Sequence, residues 1–247
     1  MIIKNRYNRT YEVADDDIYW QKMLSKGIFQ INNIRMLYEL KPKAHTILDI
    51  GANIGTNSIE YGTWAKEIHS FEPTPDLYNL LVKNVNQNLT NIDTYRWDDN
   101  LSMHNNADMF FYNYALGSEN SFVYFKTFTN NKGKNHITNF NLEDNLIHVE
   151  VKKIDDHNVN NVDIIKIDVE GYELFVLQGA EQIILRDYPV IQTELHQGLF
   201  KRQKCTIQDI AEWFYEREYI AINKKHETMP RILPTNHSGI DLFWIKK

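Results

Sequence analysis

The residues best suited to chemistry begin with a glycine-rich segment near position 50. It reads Asp49-Ile-Gly-Ala-Asn-Ile-Gly-Thr56 and follows a short apolar run, which predicts a turn from a buried strand into a helix. Two classes of cofactor use such a turn. A dinucleotide rests its pyrophosphate on the helix N-terminus and favours the spacing G-x-G-x-x-G, whereas the spacing here is G-x-x-x-G and a carboxylate precedes it.

Charge separates the two classes of cofactor. Asp49 would repel a pyrophosphate, but it would attract the ammonium and sulfonium groups of S-adenosylmethionine. Gly51 and Gly55 would let the backbone approach the methionine part of that cofactor. Glu72, at the end of the next predicted strand, can accept both ribose hydroxyls. The alternative interpretation is structural: the glycines make a tight turn, and Glu72 caps a helix.

A second set of polar residues follows two later predicted strands. Lys166, Asp168 and Glu170 end the first strand, and Glu194 and His196 end the second. If these strands are parallel neighbours, the side chains meet in the crevice where such sheets bind ligands. Transfer of a group from the bound cofactor to an acceptor that gives up a proton would need close positioning and a base. We predict His196 as that base and Glu170 as the next choice, with Lys166 and Glu194 as further catalytic residues.

The same residues also allow structural interpretations. Glu170 could cap the helix that begins near Tyr172, and His196 could satisfy a backbone carbonyl. Lys166 lies on a buried strand, so we expect it to pair with a neighbouring acid. A divalent cation such as magnesium or manganese is a less favoured alternative, with the three carboxylates and His196 as its ligands.

The elements that must position these groups alternate between strands and helices. Strands are predicted at 46–50, 68–72, 109–115, 162–168 and 190–194, and helices at 56–64, 76–88, 172–186 and 206–216. Gly179 is a weak point in the third helix. This alternation predicts a parallel sheet with right-handed crossovers, and the last two strands, 219–223 and 239–245, are predicted to be antiparallel.

Three further segments have less regular patterns. In residues 122–128 aromatic and polar side chains alternate, and residues 147–152 follow a similar pattern. The two segments predict an edge pair of strands around the loop 129–136, and this loop could lie over a site. The polar stretch 90–107 predicts a loop. Residues 1–45 are interpreted as a lid or packing extension, with an amphipathic helix at 31–40.

Four segments together resemble a known family. They are Asp49-Ile-Gly-Ala-Asn-Ile-Gly55, Phe71-Glu-Pro-Thr-Pro75, Ala115-Leu-Gly117 and Lys166-Ile-Asp-Val-Glu-Gly-Tyr-Glu173. They resemble the FkbM-type family of S-adenosylmethionine-dependent O-methyltransferases over about residues 46–196, and the regions 1–45 and 90–107 depart from it. The resemblance implies an α/β fold, a Rossmann-like class I methyltransferase sheet of seven mostly parallel strands, with an antiparallel C-terminal strand and helices on both faces. It also implies methylation of hydroxyls on sugars or other small molecules.

The predicted cofactor-binding residues surround the glycine turn and the neighbouring strand ends. They are Asp49, Gly51, Ala52, Asn53, Gly55, Thr56, Asn57, Glu72, Pro73, Asn113, Ala115 and Asp168. By resemblance, the adenine would rest beside Asn113 and Ala115. We expect the nearby aromatic residues Tyr112, Tyr114 and Trp97 to pack in the core or on the surface instead of forming an adenine platform.

Composition limits the class of protein. The 247 residues are 43% hydrophobic, which fits one large methyltransferase domain over 46–247 preceded by the extension. The net charge of −6 offers no basic face, so nucleic acid is not expected as a partner. No apolar leader or membrane span is evident, and we expect a cytoplasmic protein. The lone Cys205 excludes an internal disulfide and a zinc site of paired cysteines.

Three other functions would use a similar sheet. A nicotinamide oxidoreductase is disfavoured by the missing third glycine and by Asp49. A nucleic-acid methyltransferase, for example one acting on an RNA cap, would need a basic groove. A non-catalytic module would bind S-adenosylmethionine and transfer its methyl group to nothing.

Overall fold

The structure is a computed structural model that describes residues 1–89, 107–138, 145–233 and 238–247. The N-terminal segment forms β1 (Ile2–Lys4), β2 (Thr10–Glu12), α1 (Ile18–Leu24) and α2 (Ile31–Leu40). There follow β3 (Thr46–Ile50), α3 (Thr56–Tyr61), β4 (Glu67–Phe71), α4 (Pro75–Leu89), β5 (Asp108–Tyr112), β6 (Ala115–Leu116), β7 (Ser121–Lys126), β8 (His136–Thr138) and β9 (Leu146–Lys152). The C-terminal part contains β10 (Val162–Ile167), α5 (Glu173–Gly179), α6 (Glu181–Asp187), β11 (Val190–His196), α7 (Gln197–Phe200), α8 (Ile207–Glu216), β12 (Tyr219–Ile222) and β13 (Ser238–Lys246).

The main sheet has seven strands within the described residues, in the order β12-β13-β11-β10-β3-β4-β5. The strands from β11 to β5 pair in parallel, and β13 runs antiparallel to both β11 and β12. Strands β3 and β10 lie in the middle and are short apolar runs, as expected for strands covered on both faces. The predicted sheet, including its antiparallel C-terminal strand, is confirmed.

Helices cover both faces of this sheet because alternate residues of its central strands point in opposite directions. Leu48 and Ile165 pack in one core with apolar residues of α5, α6 and α8. Ile47 and Ile164, each one position earlier in its strand, pack in another core with residues of α2 and α3. Asp49 and Lys166 are register partners on β3 and β10, so this ladder carries the charged groups of the site.

Two predicted helices differ from the structure in their bounds. The helix predicted at 56–64 ends at Tyr61, and Gly62 follows it. The helix predicted at 172–186 is divided into α5 and α6 at Ala180, directly after the predicted weak point at Gly179. A Cβ at Gly179 would lie 1.9 Å from the carbonyl oxygen of Gly117, so this glycine allows two backbone segments to touch.

The strand predicted at 109–115 was too long. It ends at Tyr112, and Ala115 begins β6, which belongs to a separate sheet that has four strands in the described part of the chain, in the order β6-β9-β7-β8. The chain turns at Asn113, whose Nδ2 donates to the carbonyl oxygens of Glu72 and Pro73. The predicted pairing of segments 122–128 and 147–152 is confirmed as β7 with β9, but in this second sheet and not at the edge of the main one.

The N-terminal segment packs on the outside of α3 and α4. Arg9 forms a buried ion pair with Glu60, with its Nε 2.8 Å from Oε1. Asn84 and Asn88 of α4 accept the backbone N–H groups of Glu12 and Thr10. The predicted helix at 31–40 is confirmed as α2, whereas β1, β2 and α1 were not predicted.

Some predictions fall on parts of the chain that the structure does not describe. These are Trp97 and nearly all of the segment 90–107. Within the described ranges, none of the helices has the length and apolar character that crossing a bilayer requires.

Candidate active site

The glycine turn after β3 is held tightly against the end of β10. Gly51 has a φ of +77°, and a Cβ there would lie 1.9 Å from the carbonyl oxygen of Asp168. The backbone N–H groups at positions 51 to 55 all donate within the protein, to Phe71, Glu72, Asn53 and Ala52. A pyrophosphate would need such amides as its donors, so this turn lacks the free N–H groups of a dinucleotide site.

Glu72 lies at the end of β4 and is almost fully buried. Its Oε2 accepts the N–H of Asn53 at 3.0 Å, and its Oε1 accepts the N–H of Thr74 at 2.9 Å. Burial raises the pKa of Glu72 to about 7, although these hydrogen bonds oppose the rise. A carboxylate has about four acceptor positions, so Glu72 keeps the capacity to accept two hydroxyls.

Glu72 lines a first cleft, which has a volume of about 540 Å³ counting the space open to solvent. The predicted cofactor residues that line it are Gly51, Asn53, Glu72, Pro73, Ala115 and Asp168. Tyr114, which we expected only to pack, also lines this cleft, and its hydroxyl bonds to His157. Tyr112 does not line it and bonds to His69 instead.

Three predicted cofactor residues, Asp49, Gly55 and Asn113, line neither this cleft nor the second cleft described below, and they have structural positions. Asp49 is fully buried beneath the turn and accepts the hydroxyl of Ser58. Gly55 has a φ of +87° and faces Leu81 of α4, whose Cδ1 would lie 2.9 Å from an added Cβ. Asn113 fixes the chain behind the cleft through the two hydrogen bonds described above.

Lys166 connects the glycine turn to two aspartates beneath the site. Its Nζ donates to the carbonyl oxygen of Gly51 at 2.8 Å and lies 3.3 Å from Asp49 and 3.7 Å from Asp168. Burial by itself would lower the pKa of Lys166, but the two aspartates outweigh it and raise the pKa. The expected pairing of this lysine with a neighbouring acid is confirmed.

A second cleft of about 850 Å³ adjoins the first, again counting the space open to solvent. Five residues line both clefts: Gly51, Asn53, Gly133, Asp168 and Glu170. The predicted cofactor residues Ala52, Thr56 and Asn57 line the second cleft, as do Lys166 and Glu194. Gly133 and its neighbours come from the loop 129–136, so this loop lies beside the site as the sequence suggested.

Glu170 stands where the two clefts join. Its backbone is left-handed, with a φ of +56°. Burial, and then the charges of Asp168 and Glu194, raise its pKa to about 8. Glu194 lines the second cleft only, and burial with the charge of Asp168 raises its pKa to about 7. These two carboxyl groups are therefore tuned toward neutral pH, where a general base works best.

Sequence reasoning missed the glutamate that holds this turn. Oε1 of Glu173 accepts the N–H groups of Val169 at 3.2 Å and of Gly171 at 3.3 Å. Its Oε2 is buried without a partner in the described residues, and burial raises its pKa to about 8. Glu173, the first residue of α5, and not Glu170, thus binds the backbone N–H groups of the segment that leads into this helix.

His196 lies at the end of β11 and lines neither cleft. Its Nδ1 accepts the N–H of Gly198 at 3.2 Å, which caps α7. His196 therefore accepts a hydrogen bond from a backbone N–H group, whereas the structural interpretation of the sequence had it bind a backbone carbonyl.

The divalent-cation site that the sequence allowed as an alternative has no counterpart in the described residues. No three side chains among their histidines, cysteines, aspartates and glutamates come together as ligands would. The carboxylates at positions 168, 170 and 194 surround a cleft instead of converging on a point.

Comparison with solved structures identifies the fold. A methyltransferase FkbM from Methylobacillus flagellatus KT superposes on 82% of this chain and 44% of its own, with a TM-score of 0.53 and 18% sequence identity. Trm1 from Pyrococcus horikoshii, in complex with S-adenosyl-L-methionine, superposes on 99% of this chain and 61% of its own, with a TM-score of 0.51 and 12% identity. The sheet is that of class I methyltransferases, as the sequence resemblance implied.

Comparison of sequences identifies the family. The hexuronic acid methyltransferase AglP of Haloferax volcanii is 25% identical over 166 residues, which are 67% of this chain and 62% of that protein. This chain thus spans less than two thirds of the length of that relative. The methyltransferase FkbM domain matches residues 49–221, which include every motif of the sequence resemblance. The chain therefore belongs to the FkbM methyltransferase family.

Proposed function

We propose that this protein is an O-methyltransferase that transfers the methyl group of S-adenosylmethionine to a hydroxyl of a sugar or another small molecule. The observation that carries the proposal is the junction of the two clefts. The first cleft is lined by Glu72, the carboxylate that we expect to accept the ribose hydroxyls. The second cleft is open to an acceptor, and Glu170 lines both clefts. Such a junction lets a methyl donor and a hydroxyl approach each other beside a base.

The residues of the first cleft suit a positively charged cofactor that carries no phosphate groups, such as S-adenosylmethionine. The turn at positions 51 to 55 has no free amide for a pyrophosphate. The carboxyl groups of Glu72, Asp168 and Glu170 line the same cleft, and the ammonium of Lys166 beneath them is already bound by Asp49 and Asp168. When bound, S-adenosylmethionine would supply the methyl group and leave as S-adenosylhomocysteine.

Glu170 is the base that we propose. The acceptor oxygen gains the methyl group and loses its hydroxyl proton, and the carboxylate of Glu170 takes that proton. Its raised pKa of about 8 makes it a stronger base than an ordinary glutamate. We favour it over His196, our first choice from the sequence, because His196 lines neither cleft and its Nδ1 is already bonded.

The acceptor class is supported by one relative. AglP is by name a methyltransferase of hexuronic acid, and 67% of this chain aligns with it. The second cleft, at about 850 Å³ with polar and aromatic walls, has the size and character of a small-molecule site. A sugar hydroxyl is therefore the acceptor that we propose.

Calorimetric titration with S-adenosylhomocysteine tests the first step. We expect binding with a Kd in the micromolar range and no binding of NAD. If the folded protein did not bind S-adenosylhomocysteine, the proposed function would be wrong. If it bound the cofactor product but methylated no acceptor in a broad screen of sugars and alcohols, it would be a binding module.

A further inference from the structure

The second cleft has an aromatic wall supplied by the N-terminal segment. Tyr19, Trp20 and Phe29 line it, with ring centroids 5.4 Å apart for the first pair and 4.8 Å apart for Trp20 and Phe29. All contacts within this group are edge to face, at angles from 70° to 79°. Rings locked in this way offer a firm apolar surface with little entropy to lose on binding.

Asp17 joins this wall to the opposite side of the cleft. Its Oδ1 accepts the N–H of Trp20 at 3.2 Å, and its Oδ2 accepts the N–H of Lys132 at 3.3 Å. Asp17 is only 1% exposed. One buried carboxylate thus ties α1 to the loop that carries Asn131, Gly133 and Lys134, so both walls are held before any acceptor binds.

Three buried polar atoms of the lining have no partner in the described residues, and one of them is Oδ1 of Asn131. Asn57 is 4% exposed, and its Nδ2 donates to Oε1 of Gln30 at 3.0 Å while its Oδ1 is unbonded. Trp20 is 3% exposed, and its indole N–H is unbonded. Buried groups of this kind are normally satisfied, and two acceptors and one donor without a partner match the chemistry of a ligand with hydroxyls, which both donate and accept.

The charges of the lining disfavour an anion. Asp168, Glu170 and Glu194 face the cleft, and the charge of Lys166 is neutralised by Asp49 and Asp168. The other lysine of the lining, Lys134, is exposed at the rim. The pKa of the Tyr19 hydroxyl is raised by burial and by all three carboxylates, which indicates that their field crosses the cleft to the aromatic wall.

We propose that the second cleft selects an uncharged, polyhydroxylated sugar and discriminates against hexuronic acids, in contrast to the relative AglP. The sugar ring packs on Tyr19 and Phe29, and its hydroxyls bond to Asn57, Gln30 and the carboxylates. Asp168 is paired with Lys166, so a sugar carboxylate would be placed against Glu170 and Glu194 once they ionise, with the exposed Lys134 and the nearby Arg202 to offset them. This inference rests on the proposed methyltransferase function and assigns acceptor choice to the N-terminal segment.

The test measures transfer of labelled methyl groups to p-nitrophenyl glycosides of glucose, galactose and mannose and to the glucuronide. We expect kcat/KM for the best neutral glycoside to exceed that for the glucuronide by at least about tenfold, the order of effect of one unpaired charge contact. An equal or higher value for the glucuronide, or transfer to none of the four, overturns the inference. Failure to bind S-adenosylhomocysteine, measured on the same sample, overturns the proposed function itself.

Matched variants locate the source of the discrimination. Above pH about 7, where Glu194 is ionised, Glu194→Gln keeps the shape of the lining and removes one charge, so the preference for neutral glycosides over the glucuronide should fall about fivefold or more. Lys134→Ala should leave that preference unchanged or raise it. A large loss of glucuronide transfer in Lys134→Ala, relative to the neutral glycosides, would show that the lysine serves an anionic sugar and would contradict the inference.

A further variant tests the aromatic wall. Tyr19→Ala should raise the KM for neutral glycosides about tenfold, because a half-buried ring is lost from the acceptor side. The Kd for S-adenosylhomocysteine should not change, and this shows that the variant is folded. An unchanged KM for the glycosides would remove the N-terminal segment from acceptor binding.

Discussion

The first and second clefts are adjacent, but the chain builds them in different ways. The first has a local centre at the ends of β3 and β4, where the glycine turn is bonded to Glu72, 19 residues after Asn53, and the rest of its lining comes from positions 114–137 and 168–172. The second is assembled from four distant parts of the chain, near positions 20–30, 51–57, 131–134 and 166–194. Such a difference separates what a motif can specify locally from what only the folded chain brings together.

The largest expected effect is on turnover, at Glu170, where the two clefts join. Glu170→Gln should lower kcat by about 10²- to 10⁴-fold, because a positioned base is lost, while the Kd for S-adenosylhomocysteine should change far less than kcat, since Glu72 and Asp168 still line the first cleft. In the native enzyme, kcat/KM should rise with pH through about 8, since the base must be ionised, and the variant should lack this rise.

Glu194→Gln is the control for this assignment. Its carboxyl group lines only the second cleft, so its removal should lower kcat less than removal of Glu170 does. A larger loss in Glu194→Gln would transfer the role of base to Glu194.

The next effect concerns the buried ion pair of Lys166 and Asp49 beneath the glycine turn. Lys166→Met should lower the free energy of unfolding by about 4 kcal/mol, because Asp49 would remain buried without its cation. Urea denaturation measures this loss. The double variant Lys166→Met/Asp49→Asn should regain much of the stability, and a single variant as stable as the native protein would contradict a structural role for the pair.

The third effect belongs to the first cleft alone. Glu72→Ala should weaken binding of S-adenosylhomocysteine more than tenfold, because two ribose hydroxyls would lose their acceptor. Glu72→Gln keeps an acceptor oxygen and should weaken it less. Unchanged affinity by calorimetry in the alanine variant would show that Glu72 only fastens the backbone at Asn53 and Thr74.

Much of the fold and of the first cleft could be predicted because their signals are local. The apolar runs of β3 and β10 predicted buried parallel strands, and the glycines of the turn predicted a tight connection. The bounds were less accurate where a tertiary contact decides them. Nothing in the segment 109–115 itself shows that Asn113 bonds to Glu72 and Pro73 and ends the strand there.

The second cleft could be predicted only in part. Its carboxylates were found because the ends of neighbouring parallel strands meet at one edge. Its aromatic wall was not, since Tyr19 and Phe29 precede the first strand of the main sheet and carry no motif that relates them to position 170. The charge at Glu173 was overlooked for another reason: from sequence alone, Glu170 and Glu173 are equally good caps for α5.

The fourth prediction uses the pH dependence of stability at the turn that both clefts share. Glu173 has a folded pKa of about 8, raised above its ordinary value by burial. A carboxyl group with a raised pKa stabilises the fold while it is protonated, so stability should fall as pH rises from about 5 to 8, by roughly 1 kcal/mol per pH unit from this group.

Glu173→Gln provides the comparison, because its amide oxygen can still accept the N–H groups of Val169 and Gly171. The free energy of unfolding of this variant should depend less steeply on pH over the same range. Parallel curves for the two proteins would show that Glu173 titrates normally in the folded state.

The smallest expected effect is at His196, and it tests whether this residue lies outside the second cleft. The histidine ends β11 two residues after Glu194, but it lines neither cleft and caps α7 through Nδ1. His196→Asn can keep a cap acceptor, so kcat should change less than about threefold. His196→Ala should cost about 1 kcal/mol of stability through the lost cap and should also retain most of its turnover. A loss of kcat of a hundredfold or more in both variants, with intact cofactor binding, would return the role of base to His196. It would then follow that β11 and α7 move toward the junction when an acceptor binds, since no bond seen here brings the imidazole to it.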